Sequence, residues 1–329
     1  MIEDGQRLGG YQIVGPIRTG GMARLFRARR IGAHGFSQEV AIKLLHAELA
    51  DDPRYTEMLV DEALMAARIH HPNVVRVEEL AEDGGICFLV MEYVDGWSLG
   101  HVMDALSAQG RRMAPPLATH IASEIAAGLH AAHEATRADG RPLELVHRDV
   151  SPPNVLLAKK GHVKLIDFGV AKAHGRAVRT TSGTLKGKFR YMSPEQARGA
   201  RVDRRTDVYA IGIMLWEMLT ARPLFGADDE VALLTEVRDP HVRAPGAVVD
   251  GVEASLDEIV LAALAPDAAN RLPTAQELRR RLLRAVPEAA VVDSADVAAL
   301  LAELLGDAPA EPGRAGSLTA RARECPDKP

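Results

Sequence analysis

Residues 147–169 read HRDVSPPNVLLAKKGHVKLIDFG. One carboxylate, Asp149, stands five residues ahead of an amide, Asn154, and a second carboxylate, Asp167, comes just before Phe168 and Gly169. Val163, Leu165 and Phe168 are interleaved with Lys164 and Asp167 after a Lys159-Lys160-Gly161 turn. The second half is therefore predicted to form a hairpin that ends in a tight turn. Three oxygen-bearing side chains are expected to meet there. A hard cation such as magnesium takes oxygen ligands from one or two side chains together with substrate phosphates. Asn154 and Asp167 suit that need, which leaves Asp149 to orient a hydroxyl nucleophile.

Working back toward the N-terminus, Tyr11 to Arg29 alternates apolar and polar residues on either side of Gly20 and Gly21, the pattern of a hairpin with a glycine tip. Val40 to Lys43 is a short apolar strand carrying one lysine. An unpaired buried charge is costly, so Lys43 needs a negative partner. From Arg54 to Ile69, Met58, Leu59, Glu62, Met65, Ala66 and Ile69 recur at helical spacing, which puts Glu62 on the apolar face. An acid there is as much out of place as the lysine, and each answers the other. His70, His71, Pro72 and Asn73 close this helix. The two histidines have no further His or Cys at ligand spacing, which argues against a metal site. Val74 to Leu80 and Ile86 to Tyr93 are predicted as strands around an Asp83-Gly84-Gly85 turn.

Beyond Gly96 the pattern turns helical. Ser98 to Ala108 and Leu117 to Ala135 are periodic, the second after Pro115 and Pro116. His130 and His133 share a face of it and are expected to pack under the 147–154 loop rather than hold a metal. After Gly169 comes a polar, glycine-interrupted stretch with Thr180, Thr181, Ser182 and Thr184, running to Ser193, Pro194 and Glu195. A loop this long in a compact domain is usually functional. Asp228 to Arg238, Ser255 to Leu264 and Thr274 to Val286 are predicted as further helices. Past Pro287, Ala290 to Leu305 suits one amphipathic helix, and residues 308–329 have the composition of a disordered tail.

Composition removes several classes of function. Apolar residues are 47% and charged residues 26% of the 329 residues, and the net charge is −5, which is ordinary globular composition. The 40 basic residues do not outnumber the 45 acidic ones, so there is no nucleic-acid signature. Only Cys87 and Cys325 are present, which argues for a reducing compartment. The opening MIEDGQRLGG lacks the apolar core of a signal peptide, and no apolar run approaches the ~18 residues of a membrane span. The expectation is a soluble cytoplasmic protein with no membrane span.

In this order and spacing, the His-Arg-Asp, Asn and Asp-Phe-Gly residues resemble the catalytic and metal loops of the eukaryotic-type protein kinases. YMSPEQARG and the Gly20-Gly21-Met22 tip look most like the bacterial serine/threonine branch. The resemblance implies an α+β, two-lobed fold: a small antiparallel β-sheet lobe with one helix, then a larger, mainly helical lobe. Its kinase domain would span 11–286, with the N-lobe at 11–94 and the hinge and C-lobe at 95–286. A 1–10 extension precedes it and a 287–329 tail follows.

The implied reaction moves the γ-phosphoryl group of ATP, with Mg2+, to Ser or Thr hydroxyls of protein substrates. In it Lys43 would hold phosphates, Glu62 would hold Lys43, Asp149 would orient the acceptor, and Asn154 and Asp167 would hold the metal. By the same resemblance Ile17, Arg18, Thr19, Gly20, Gly21, Met22, Ala23, Arg24 and Leu25 form the loop over the nucleotide. Ala41, Met91 and Leu156 would line the adenine pocket, with the Glu92 carbonyl and the Val94 amide on the adenine edge. Arg271 would pair with Glu195, and Asp207 to Trp216 would be the buried helix that anchors the catalytic loop, with Asp207 as its structural acid. Arg148 would receive a phosphorylated residue from among Thr180, Thr181, Ser182 and Thr184, formed by autophosphorylation in a transient homodimer.

Two departures stand out. Arg18 and Ala23 replace two of the three loop glycines. Ser151 stands where such kinases carry a lysine and Lys188 where they carry a threonine, as though charge and hydroxyl had been exchanged across the cleft. The degraded glycine loop keeps one alternative open, a nucleotide-binding pseudokinase scaffold. The Ser193 to Glu195 region argues against a small-molecule kinase of related fold. Tyrosine as acceptor stays open.

Overall fold

A computed structural model describes residues 4–168, 189–227 and 229–306. The small lobe is one antiparallel sheet of β1 (Arg7–Leu8), β2 (Tyr11–Thr19), β3 (Ala23–Ile31), β4 (Ser37–Leu45), β5 (Val77–Asp83) and β6 (Ile86–Glu92). Its spatial order is β1-β2-β3-β4-β6-β5. Between β4 and β5 lie the one-turn α1 (Ala47–Ala50) and the 14-residue α2 (Pro53–Ala66). Within the 1–10 segment, Arg7 and Leu8 add an edge strand, because Leu8 buries its side chain with Tyr11 and Phe88.

Period-two alternation gives the sheet two apolar faces. On β4, Val40, Ile42 and Leu44 join Ile13, Phe26 and Phe88 on the outer face. Ala41, with Leu59 and Ala63 of α2, belongs to the inner one. Asp52 caps α2 by accepting the Arg54 N–H at 3.0 Å, and Pro53 opens it.

The larger lobe holds β7 (Gly96–Ser98), α3 (Leu99–Ala108), α4 (Pro115–His133), β8 (Val155–Ala158), β9 (Val163–Leu165), α5 (Pro194–Ala197), α6 (Arg205–Thr220), α7 (Glu230–Arg238), α8 (Ala254–Ala263), α9 (Ala275–Ala285) and α10 (Ser294–Leu305). β7, β8 and β9 form a small antiparallel sheet. Every residue of α6 from Thr206 to Thr220 is buried, as a helix at the centre of a lobe must be. Among the described residues no helix is long and apolar enough to cross a membrane.

Two elements differ from the sequence reading. The strand expected from Val74 starts only at Val77, because Asn73 to Val75 bond instead to the β9 hairpin. Leu165 N donates to Asn73 O, Val75 N donates to Leu165 O, and the Asn73 amide donates to Val163 O. The last helix begins at Ser294, four residues later than expected, where the Asp293 carboxylate caps it in a reciprocal pair with Asp296. It is not set apart from the lobe: Ala289, Val297 and Leu301 are buried in the main core. The disordered tail expected from 308 lies outside the described residues.

Candidate active site

Lys43 reaches the cleft because it lies on the inner face of β4, and Glu62 meets it from the apolar face of α2. Lys43 Nζ is 2.6 Å from Glu62 Oε1 and 3.0 Å from Asp167 Oδ1. Burial works against the lysine's charge, but Asp167 and Glu62 outweigh it and raise its pKa. One cation thus serves two carboxylates. Burial also opposes ionisation of Asp167, yet Lys43 holds that carboxyl below the usual range. Glu62 is pushed up by burial despite the same lysine.

Asp167 takes a left-handed backbone, φ 54°, which an aspartate tolerates better than most residues. Phe168 turns the other way. It stacks on His147 at 4.6 Å between ring centroids and packs with Ile69, Val74, Ala132, Ala135, Leu145 and Met65. The Asp167 turn is therefore anchored to both α2 and α4.

The 147–154 loop is held from beneath by Asp207, at the start of α6. Its Oδ2 accepts from His147 N at 2.9 Å and lies 2.7 Å from His133 Nε2, and its Oδ1 accepts from Arg148 N at 2.9 Å. These bonds keep the buried Asp207 carboxyl low in pKa against its desolvation. Burial lowers the pKa of His147, which is satisfied as a neutral ring. Nε2 lies 3.1 Å from the Ile166 carbonyl, and Nδ1 accepts from Asp149 N at 3.3 Å. One imidazole thereby ties the Asp149 loop to the residue before Asp167.

Asn154 donates its side-chain amide to Asp149 O at 2.8 Å and, more weakly, to Asp149 Oδ2 at 3.4 Å. Its backbone carbonyl accepts from Ile166 N at 3.0 Å, beside the Val155–Leu165 pair, so Asn154 and Asp167 emerge from neighbouring strand ends. With Nδ2 spent on Asp149, Oδ1 of Asn154 accepts no hydrogen bond among the described residues. An amide oxygen and a carboxylate side by side are the hard donors that magnesium takes. That donor set fits the ion.

Ala41, Met91, Val94 and Leu156 form one apolar cluster with Ile17 and Leu25, drawn from both lobes. The Val94 N–H at its rim donates to no protein acceptor among the described residues. Glu92 is clamped by Lys164 Nζ at 2.7 Å and accepts the Arg76 N–H at 3.2 Å. At the hairpin tip Gly20 N donates to Ala23 O at 2.9 Å, His46 N donates to Met22 O at 3.0 Å, and the His46 ring lies 2.8 Å from Gly20 O. Gly21 completes the bend between the two strands. Thr19 and Arg24 are not brought into the cleft. They pair with each other, and Arg24 lies 4.9 Å over the Phe26 ring, because strand alternation turns them to the outer face.

Ser151 Oγ lies 3.4 Å from the Asp149 carbonyl, a weak contact. Its expected partner Lys188 lies outside the described residues, as do Gly169, Thr180, Thr181, Ser182 and Thr184. Downstream, Arg271 grips Glu195 through two bonds of 2.7 Å each. His133 lies under the 147–154 loop as the sequence reading expected, though its partner Asp207 was not named; the reading missed Thr206 donating to Glu195 at 2.6 Å and Tyr191 donating to Glu217 at 2.6 Å. Burial pushes Glu217 up to about 7. Glu217, an acid directly after the apolar run 208–216, could have been flagged, but nothing in the sequence names its partner.

Comparison with known proteins bears on this geometry. The model of the protein kinase domain family matches residues 11–283. The tyrosine-protein kinase MasK of Myxococcus xanthus is 40% identical over 272 residues, covering 82% of this chain and 42% of its own length. The serine/threonine-protein kinase PknB of Mycobacterium tuberculosis is 36% identical over 313 residues, covering 90% of this chain and 47% of its own. The chain thus spans less than half the length of these curated relatives. Among solved structures, the PknI kinase domain of Mycobacterium tuberculosis superposes with a TM-score of 0.62 at 26% identity, covering 88% of this chain and 99% of that one.

Proposed function

The chain belongs to the protein kinase family, and from that premise we propose that it is an ATP- and Mg2+-dependent serine/threonine protein kinase. The observation that carries the reading is Lys43 held between Glu62 and Asp167, opposite Asp149 and Asn154. A pseudokinase scaffold has no need of all five groups together.

In this reading the apolar cluster of Ala41, Met91, Val94 and Leu156, with Ile17 and Leu25, takes the adenine. Lys43 binds phosphate oxygens, and Glu62 fixes its direction. Asn154 and Asp167 would hold magnesium, which when bound neutralises charge on the transferring phosphoryl group. Asp149 accepts a hydrogen bond from the substrate hydroxyl and aims its oxygen at the γ-phosphorus. The P–O bond to that oxygen forms as the bond to the β-γ bridging oxygen breaks, leaving ADP, and the hydroxyl proton passes to Asp149. Positioning and charge stabilisation supply most of the rate. Ser151 and Lys188 are proposed as a hydroxyl and a cation acting on Asp149 and the phosphate from opposite walls.

Thr180, Thr181, Ser182 and Thr184 are the proposed autophosphorylation sites, modified in trans within a transient homodimer, with Arg148 receiving the new charge. ATP is a cytoplasmic metabolite, so the reaction is assigned to the cytoplasm. A tyrosine acceptor is the second reading, favoured by the name that the Myxococcus relative carries.

Purified chain with labelled ATP, phosphosite mapping and an Asp149→Asn control tests the proposal. The expected result is label on Ser or Thr, including residues 180–184, that disappears in the variant. Label on tyrosine alone would replace the acceptor class. Undiminished labelling in Asp149→Asn would remove the assigned chemistry.

A further inference from the structure

The glycine hairpin is not an even ladder. β2 pairs with β3 through Pro16↔Phe26 and next through Arg18↔Leu25, so the register shifts at Ile17. Ile17 and Arg18 together oppose Leu25, a two-against-one bulge of the kind that bends a strand and re-aims a side chain. Leu25 in turn opposes Lys43 on β4. Directly opposed residues of antiparallel strands point to the same face of the sheet. Arg18 therefore lies in the row that carries Lys43 into the cleft, two strands away and about 10 Å distant by ordinary strand spacing. Beyond the bulge the alternation resumes and sends Thr19 and Arg24 outward.

Charge supports the placement. Arg18 is partly buried, and among the described residues its side chain makes no hydrogen bond or ion pair. Among the described residues of the cleft there is little other positive charge for phosphates. Lys43 is already shared by two carboxylates, and the segment from Asp149 through Val150, Ser151, Pro152 and Pro153 to Asn154 carries none. A nucleoside triphosphate brings several negative charges into this space.

We infer that Arg18 is a phosphate-binding residue of the nucleotide site, a second cation beside Lys43 supplied by the bulged strand. The inference rests on the kinase reading above. A guanidinium is permanently charged and presents a planar fork of donors that matches two phosphate oxygens at once.

The test is the binding of ATP, ADP, AMP and adenosine to wild type, Arg18→Ala, Arg18→Lys and Arg18→Gly, followed by calorimetry with and without Mg2+. Charge-assisted bonds to phosphate predict a loss of roughly ten- to hundredfold for ATP in Arg18→Ala. The loss should shrink through ADP and AMP and vanish for adenosine. Arg18→Lys should recover part of it, and Arg18→Gly none. Unchanged ATP affinity in Arg18→Ala, or an equal loss for adenosine and ATP, overturns the inference. So does tighter Mg2+-ATP binding in Arg18→Ala, which would make Arg18 a competitor for Asp167. A wild type that binds neither adenosine nor ATP would instead overturn the kinase reading itself. Thermal unfolding of each variant, matched to wild type, separates these outcomes from a misfolded hairpin.

Discussion

Arg271→Met should cost the fold about 3 kcal/mol or more. The Arg271 side chain is fully buried, and its partner Glu195 is 14% exposed. Besides its two bonds to Glu195, the guanidinium donates to Ala265 O at 2.7 Å, Pro266 O at 3.0 Å and Arg205 O at 3.3 Å, and lies 4.6 Å over the Tyr209 ring. Burial works against the charge of Glu195, but the hydrogen bonds of Arg271 and Thr206 bring its pKa from 4.5 to about 2. At roughly 1.4 kcal/mol per unit, that shift corresponds to about 3 kcal/mol. Removing one partner of a buried pair costs about 3–5 kcal/mol, an independent figure of the same size.

Because the folded pKa lies below the unfolded one, this contribution is complete above about pH 4.5 and is lost as pH falls toward about 2. The assay is urea unfolding followed by the fluorescence of Trp97 and Trp216, both in the core of the larger lobe, at pH 7 and at steps down to pH 3. Arg271→Met should unfold at lower urea and lose the stability slope of that acidic window. Glu195→Met combined with Arg271→Met should be more stable than Arg271→Met alone, since no unpaired carboxylate stays buried. A loss under about 1 kcal/mol with an unchanged acid slope would refute the reasoning.

Other outcomes follow from the same contacts. Asp149→Asn should slow phosphoryl transfer by about a hundredfold or more while leaving nucleotide affinity nearly intact, which parallel rate and binding titrations resolve. Glu62→Gln should lower kcat more than it raises the dissociation constant for ATP, because Lys43 keeps its charge but loses its direction; equal effects on both would assign Glu62 to simple binding. Truncation after Val286 should destabilise the larger lobe by about 3 kcal/mol or more, as Val297 and Leu301 leave the core, and thermal unfolding reads it. Gly161→Ala should mimic that truncation. Gly161 has φ 83°, and an added Cβ would fall 1.7 Å from Ser294 O at the start of α10, so an unchanged melting temperature would show that this helix is dispensable.

The sequence by itself determined the elements and the cast of the site. Hydrophobic period and turn chemistry act within a few residues, so the β8–β9 hairpin, α2 and the buried α6 were all legible. Lys43 and Glu62 betrayed themselves as charges on apolar faces. Asn154 and Asp167 did so as oxygen donors flanking a hairpin. Tertiary structure decided the pairings. That Lys43 is shared with Asp167, 124 residues away, depends on two lobes closing on each other. So does the diversion of Asn73 to Val75 onto β9, where a partner strand from the other lobe outcompetes continuation of β5. His133 beneath Asp207, Thr206 on Glu195 and the seating of α10 against Gly161 are likewise contacts between distant segments. Arg18 illustrates the limit most sharply. Alternation alone fixes a side chain's face only while the ladder is regular, and β2 shifts its register against β3 twice, between Ile13 and Gly15 and between Pro16 and Arg18, so the pairing with β3 decides the face at each step.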